Sequence, residues 1–255
     1  LSIQVSLNGL SFCVLDTIAN TIVQSHKVTF KTESTPYLLL KELKTLLSEK
    51  KVQKDQYEEV SVIHRNDLYC LVPKPLFDKE ELPNYLKFNT KLLANDQIVY
   101  DELPNQEIIC VYVPFTNVNN YLFDCFGEFE YKHSSVAVLQ TLFHQKSAKT
   151  ICYAHIDSKS MEIAVLEQRK LILYNQFNYK TNEDFLYYIL FTYEQLSLNV
   201  EEVKLKLFGA IEEGDAIFEI CYQYVKKVSV FIPKFENYRF ENDPTSAIDL
   251  TLLGN

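Results

Sequence analysis

A chain of 255 residues with 47% hydrophobic and 23% charged side chains is expected to form two packed lobes, and it carries too much apolar mass for wholesale disorder. Its formal charge of −9 and pI near 5.1 argue against a nucleic-acid backbone as the main partner, because phosphate binding is driven by clustered Lys and Arg. No apolar run of about 18 residues could span a bilayer and no charged-then-apolar leader opens the chain, so no integral membrane segment and a cytoplasmic location are expected; Leu1 is not an initiator Met, so a few residues are expected to precede it.

Leu1, Ile3, Val5 and Leu7 alternate, the pattern breaks at Asn8-Gly9, and it resumes with Leu10, Phe12 and Val14. Alternation on both sides of an Asn-Gly pair predicts an antiparallel hairpin with a type I′ turn, which needs positive φ at both central residues. A turn at 16–20 leads to a third strand over 21–30. Thr35-Pro36 then reads as the N-cap and first position of a helix whose apolar stripe is Leu39, Leu43, Leu46 and Leu47. Strands are expected over 59–64 and 68–72. From 74 to 105 the texture changes to prolines and mixed charge with a helix around 84–93, read as an inserted subdomain. A strand at 108–114, a helix at 117–126 stopped by Gly127, an edge strand at 128–133 and a helix at 135–145 complete the first lobe, 1–149.

At Thr150 the order begins again. Strands are expected at 151–154, 161–166 and 171–177, with a polar turn at Asp157-Ser158-Lys159-Ser160. Thr181 and Asp184 form a capping-box pair for a helix that buries Phe185, Ile189, Thr192, Tyr193 and Leu196. A strand at 203–208, a helix at 215–224 and a strand at 228–232 close the second lobe, 150–235, before an acidic tail, 236–255. Phe30-Lys31-Thr32-Glu33 is similar to Tyr179-Lys180-Thr181-Asn182-Glu183, and a three-strand meander followed by helix, strand, helix and strand occurs twice.

Six cysteines are scattered without a CxxC pair, and four lie in apolar runs, which reads as buried free thiols in a reducing compartment. Five histidines show no ligand spacing, so no metal site is expected.

This element order resembles the duplicated ribonuclease-H-like fold of the actin, sugar kinase and heat-shock-protein-70 superfamily over residues 1–235. The fold class expected is therefore α/β, with two mixed-sheet lobes and an interdomain cleft. Within it the chain looks most like an uncharacterised bacterial family of actin-like fold. It is more distantly similar to actin-like pilus-assembly proteins and to the cytoplasmic domain of the type II secretion platform protein; Ile109-Cys110-Val111-Tyr112-Val113-Pro114 and Glu130-Tyr131-Lys132-His133 resemble the region where those proteins close their first lobe.

The resemblance implies Mg-ATP held by two hairpin turns and a glycine pair. Backbone N–H groups must approach phosphates closely and a carboxylate must hold the metal or its water. The matching positions are Asn8, Gly9 and Ser11 in the first turn, Asp157, Ser158 and Ser160 in the second, and Gly209-Ala210 at the adenosine position. Each motif is half present. The first lacks Asp-x-Gly, the second lacks glycine, and the third is one glycine short. Ordinary turn chemistry accounts for each as well. The function expected is a non-catalytic protein-interaction or scaffold protein with a degenerate nucleotide site; the alternative is an ATP-binding protein or slow Mg-dependent ATPase. A sugar or acetate kinase would need a catalytic aspartate and an intact phosphate loop, and neither is found. Self-association is a further expectation, from the aromatic helix 185–193 and the apolar tail residues Ile248, Leu250, Leu252 and Leu253.

Overall fold

The computed structural model describes residues 1–53, 56–88, 90–93, 95–145, 147–157 and 160–232, with the backbone of 239–240. The chain divides into two compact units, Leu1–Thr141 with Phe235–Asn255, and Leu142–Lys234.

In the first unit, β1 (Ser2–Ser6), β2 (Gly9–Asp16) and β3 (Thr21–Thr29) form the expected antiparallel meander. Helix α1 (Pro36–Glu49) starts where the Thr35 hydroxyl accepts the Leu38 N–H, and it buries Leu39, Leu43, Leu46 and Leu47 as its spacing predicts. That stripe packs with Ile3, Val5, Leu10, Phe12 and Val62, so the alternating side of the strands and the helical stripe share one core. β4 (Ser61–Arg65) then lies parallel to β1.

β5 (Tyr69–Pro73) leaves this sheet. With β6 (Val99–Leu103) and β7 (Ile108–Tyr112) it makes a separate antiparallel sheet of order β5-β7-β6, over which α2 (Leu82–Leu86) and Val72, Ile109, Val111 and Val113 build a small core. This small sheet thus takes in strands on both sides of 74–105. The helix there is much shorter than the 84–93 expected. Pro83 sets its start, and the Lys87 N–H already closes it on the Pro83 carbonyl. Chain then returns through α3 (Thr116–Phe126), ended by Gly127 at φ 84°, to β8 (Glu130–His133), which is parallel to β4 and edges the large sheet. Helix α4 (Ser134–Phe143) follows, with the division between units inside its last turn.

The second unit repeats the plan. β9 (Ile151–Ile156), β10 (Ser160–Glu167) and β11 (Lys170–Asn178) form a meander, and α5 (Asn182–Gln195) begins with the full Thr181–Asp184 capping box. β12 (Lys204–Gly209), α6 (Ala216–Tyr224) and β13 (Val228–Val230) complete a sheet of order β11-β10-β9-β12-β13. The core on its helical side joins Cys152, Ala154, Met161, Ile163 and Val165 to Phe185, Ile189 and Tyr193. Last, β14 (Arg239–Phe240) pairs in parallel with Thr21 and Ile22, so the first sheet reads β14-β3-β2-β1-β4-β8. The sequence showed no strand there; the rest of the 241–255 tail, with its apolar residues, lies outside the described residues.

The duplication extends to an irregularity. The ladder of β2 and β3 slips so that Val23 is bulged, and the ladder of β10 and β11 slips so that Ile172 is bulged. Each is the third residue of a nine-residue strand. A bulge bends its strand and raises the local twist, so sharing it at one position marks two copies of one design.

Candidate functional site

The first turn departs from expectation. Ser6 pairs with Gly9, so the two loop residues are Leu7 and Asn8, and neither these nor Gly9 has positive φ. The turn is held instead by a serine. The Asn8 N–H donates to Ser6 Oγ at 3.2 Å, while the Ser6 hydroxyl donates to the Gly9 carbonyl at 2.9 Å. The carbonyls of Leu7 and Asn8 accept the N–H groups of Ser34 and Phe30 at 2.7 and 2.9 Å, which ties the turn to the loop before α1. Gly9 is needed for a different reason: a Cβ there would lie 2.4 Å from the Val28 carbonyl oxygen. Ser11 sits inside β2, buried, between Gln4 and Lys27.

This geometry separates two variants. Gly9→Ala is expected to cost about 1–3 kcal/mol, because strand β3 must move to admit the methyl group. Asn8→Ala is expected to stay within about 0.5 kcal/mol, since no left-handed residue is lost. Urea denaturation of both would check this, and a larger loss for Asn8→Ala would mean that the turn is not as described.

In the second unit the structure brings Asp157, Ser160, Gly209 and Ala210 together. β9 and β12 are parallel neighbours with Ile156 opposite Gly209, so their carboxyl ends finish side by side. Ligands of open α/β sheets bind outside such ends. The Asp157 N–H donates to the Ser160 carbonyl at 2.9 Å, and the Tyr179 hydroxyl donates to the Asp157 carbonyl at 2.7 Å. Gly209 has φ 95°, and a Cβ on it would come 2.4 Å from the Ile156 carbonyl oxygen. That carbonyl accepts the Ala210 N–H at 2.8 Å. Ser158 lies outside the described residues. The amides of Asn8, Asp157 and Ala210 are therefore engaged within the protein. These three amides are not turned outward, as a phosphate cradle would need them to be.

Beside Gly209 lies a pair the sequence reading missed. His155 Nδ1 and Glu162 Oε2 are 2.7 Å apart on the sheet face opposite the helices, both buried, and the imidazole stacks on Phe208 at 4.7 Å. A carboxylate only accepts, so Nδ1 carries the proton. The signal was present: counting outward from the 157–160 turn sets 156 opposite 161 and 155 opposite 162.

The first unit holds two more buried imidazoles. His64 Nδ1 accepts the Phe115 N–H at 3.2 Å, so Nε2 carries the proton and donates to Asn119 Oδ1 at 2.8 Å. Burial holds His64 down at about 3. His133 Nδ1 meets the Ser135 hydroxyl at 2.8 Å, which is 3.3 Å from Cys110 Sγ. Histidine, serine and cysteine in contact suggest a nucleophile, but all three side chains are fully enclosed and burial pushes the Cys110 thiol far up, so they serve as packing. Asp101 Oδ2 accepts the His133 N–H at 3.1 Å, and burial raises its carboxyl to about 6. The nearby Tyr112 hydroxyl is buried without hydrogen-bonding geometry to any partner, yet it is near enough to Asp101 for each to shift the other's titration.

Two mixed sheets, β3-β2-β1-β4-β8 and β11-β10-β9-β12-β13, with matched helices and matched bulges give this duplicated α/β chain an actin-like ATPase fold. The chain belongs to the family described as "Protein of unknown function (DUF3822)", whose model matches residues 1–228. Among solved structures it is similar to a Bacteroides thetaiotaomicron protein of actin-like ATPase fold and unknown function, at 19% identity and TM-score 0.77, over 99% of this chain and 93% of that one. It is also similar to a chain of the PilM–PilN type IV pilus biogenesis complex, at 10% identity and TM-score 0.65, over 99% and 96% of the two chains. The cytoplasmic domain of EpsL, from the Vibrio cholerae type II secretion system, matches at 13% identity and TM-score 0.48, over 100% and 94%. No curated protein matches. No helix among the described residues is long and apolar enough to cross a membrane.

Proposed function

We propose that this protein is a non-catalytic interaction or scaffold protein of the bacterial cytoplasm, which keeps the actin-like frame and has lost nucleotide turnover. The observation that carries this reading is the fate of the turn amides: those of Asn8, Asp157 and Ala210 are each engaged within the protein. Gly9 and Gly209, which would mark phosphate or adenosine contacts, are accounted for by the approach of the Val28 and Ile156 carbonyls. The PilM neighbour, solved in complex with PilN, supports a protein partner. Buried Cys13, Cys110, Cys152 and Cys221, all free, support a reducing compartment.

One observation favours the alternative, an ATP-binding protein or slow ATPase: Asp157, Ser160, Gly209 and Ala210 converge at adjacent strand ends. Thermal unfolding with millimolar Mg-ATP, Mg-ADP and GTP separates the readings. A ligand at ~100 times its Kd would add about 2.7 kcal/mol of stability, which a melting curve registers. No nucleotide-specific shift is expected. A clear shift with phosphate release, both lost in Asp157→Ala, would replace the scaffold reading with the ATPase.

A further inference from the structure

Helices α1 and α5 hold the same place in the two copies. Each follows the third strand of its meander, starts at a capping threonine and runs for 14 residues. Aligned on Thr35 and Thr181, the buried Leu39, Leu43, Leu46 and Leu47 match the buried Phe185, Ile189, Thr192 and Tyr193. The outward positions do not match. Where α1 exposes Lys41 and Thr45, α5 exposes Tyr187 and Phe191, at 60% and 40%. Their rings stack, with centroids 5.9 Å apart and planes 20° from parallel. The shared fold is met by a lysine and a threonine at these positions, so packing does not call for the rings. Aromatic side chains left together in water are the kind that supply contact area at interfaces.

Charge completes the face. Glu183 lies one turn before Tyr187 and Glu194 one turn after Phe191, both exposed. Neither is in an ion pair among the described residues. α5 has no Lys or Arg, and α6, packed against it, has Glu219 and none either. Along the chain the flanking cations are Lys180, just before the N-cap, and Lys204; Lys226, beyond α6, is held by Glu201 at 2.6 Å. α1 instead mixes Lys41 and Lys44 with Glu42 and Glu49.

We propose that the outward face of α5, from Glu183 through Tyr187 and Phe191 to Glu194, docks a basic, partly apolar segment of a partner protein. A lysine or arginine there can lie against a ring and reach the carboxylate one turn away, while its apolar neighbours cover the rest of the rings. A second copy using the same face is disfavoured, because antiparallel α5 helices that stack these rings would set Glu194 against Glu183 and Asp184. This surface rests on the interaction reading. A peptide experiment reads α5 and melting with nucleotide reads the turns, so either can fail alone.

Two fluorescein-labelled amphipathic peptides of equal length test this, both with leucine at helical spacing, one with lysine and one with glutamate at the other positions. Anisotropy is expected to show the lysine peptide binding at least about tenfold more tightly, and a benzophenone on its leucine face to cross-link within 182–195. Giving α5 the outward residues of α1, by Tyr187→Lys with Phe191→Thr, is expected to weaken the lysine peptide at least about tenfold at a near-unchanged melting temperature. Glu183→Gln with Glu194→Gln is expected to bring the two peptides within about threefold of each other. Equal or absent binding, cross-links confined to another segment such as 36–49, or undiminished affinity in Tyr187→Lys with Phe191→Thr would each overturn the proposal. So would a peptide-free dimer in sedimentation that this variant abolishes.

Discussion

Glu162→Ala is expected to lower the stability of the second unit by about 2–3 kcal/mol, the usual loss when the hydrogen-bond partner of a buried polar group is removed. Glu162 and His155 are directly opposite on β10 and β9, 1% and 2% exposed, so water cannot replace the lost acceptor. The imidazole is also held against Phe208, with Gly209 beside it. Glu162→Gln keeps a carbonyl oxygen as acceptor and is expected to lose about half as much. Urea titration of both variants decides it. An alanine variant within about 1 kcal/mol of the parent would mean that the pair does not hold the unit together.

The second large effect concerns acid. Burial raises Asp101 from 3.8 to about 6, so folding costs free energy wherever the unfolded chain has released that proton, which means increasingly from pH 4 up to 6. His64 acts in the opposite sense. Burial lowers it from 6.5 to about 3, so the stability it permits is complete above pH 6.5 and is lost as pH falls towards 3. Between pH 4 and 6 the unfolded chain holds the His64 proton and the folded chain holds the Asp101 proton, so these two groups together give no slope. Asp101→Asn removes one side of that balance. Its stability is expected to rise by about 1.4 kcal/mol per pH unit across this interval, to match the parent near pH 4, and to exceed it by up to about 3 kcal/mol at pH 7.5. Denaturation at pH 4, 5, 6 and 7.5 checks this. A variant that tracks the parent at every pH would show that Asp101 is not held protonated.

How much of the site was legible depended on range. The convergence of Asp157 with Gly209 was expected from the superfamily order, and the parallel pairing of β9 with β12 supplies it. The nature of the first turn was not legible. Asn8-Gly9 has the composition of a type I′ turn, but the Ser6 hydroxyl shifts the loop one residue earlier, and Gly9 answers a carbonyl from a strand some twenty residues away. Conversely, the β10–β11 turn has positive φ at both Gln168 and Arg169, with no glycine or asparagine to announce it. There the pairing of both flanking strands imposes a conformation that local propensity disfavours.

By itself the sequence determined what nearest-neighbour physics controls. Period-two alternation placed the strands, period-3.6 leucines placed the buried face of α1, and Thr35, Thr181 and Asp184 placed two helix starts, because each signal lies within a few residues of its effect. Tertiary structure alone decided that β5 leaves its neighbour β4 for a different sheet, that Arg239 and Phe240 pair with Thr21 and Ile22, and that the Ile156 carbonyl takes the Ala210 N–H. Those outcomes rest on partners tens to hundreds of residues apart, whose pairing depends on which backbone groups remain unsatisfied once the sheets have formed.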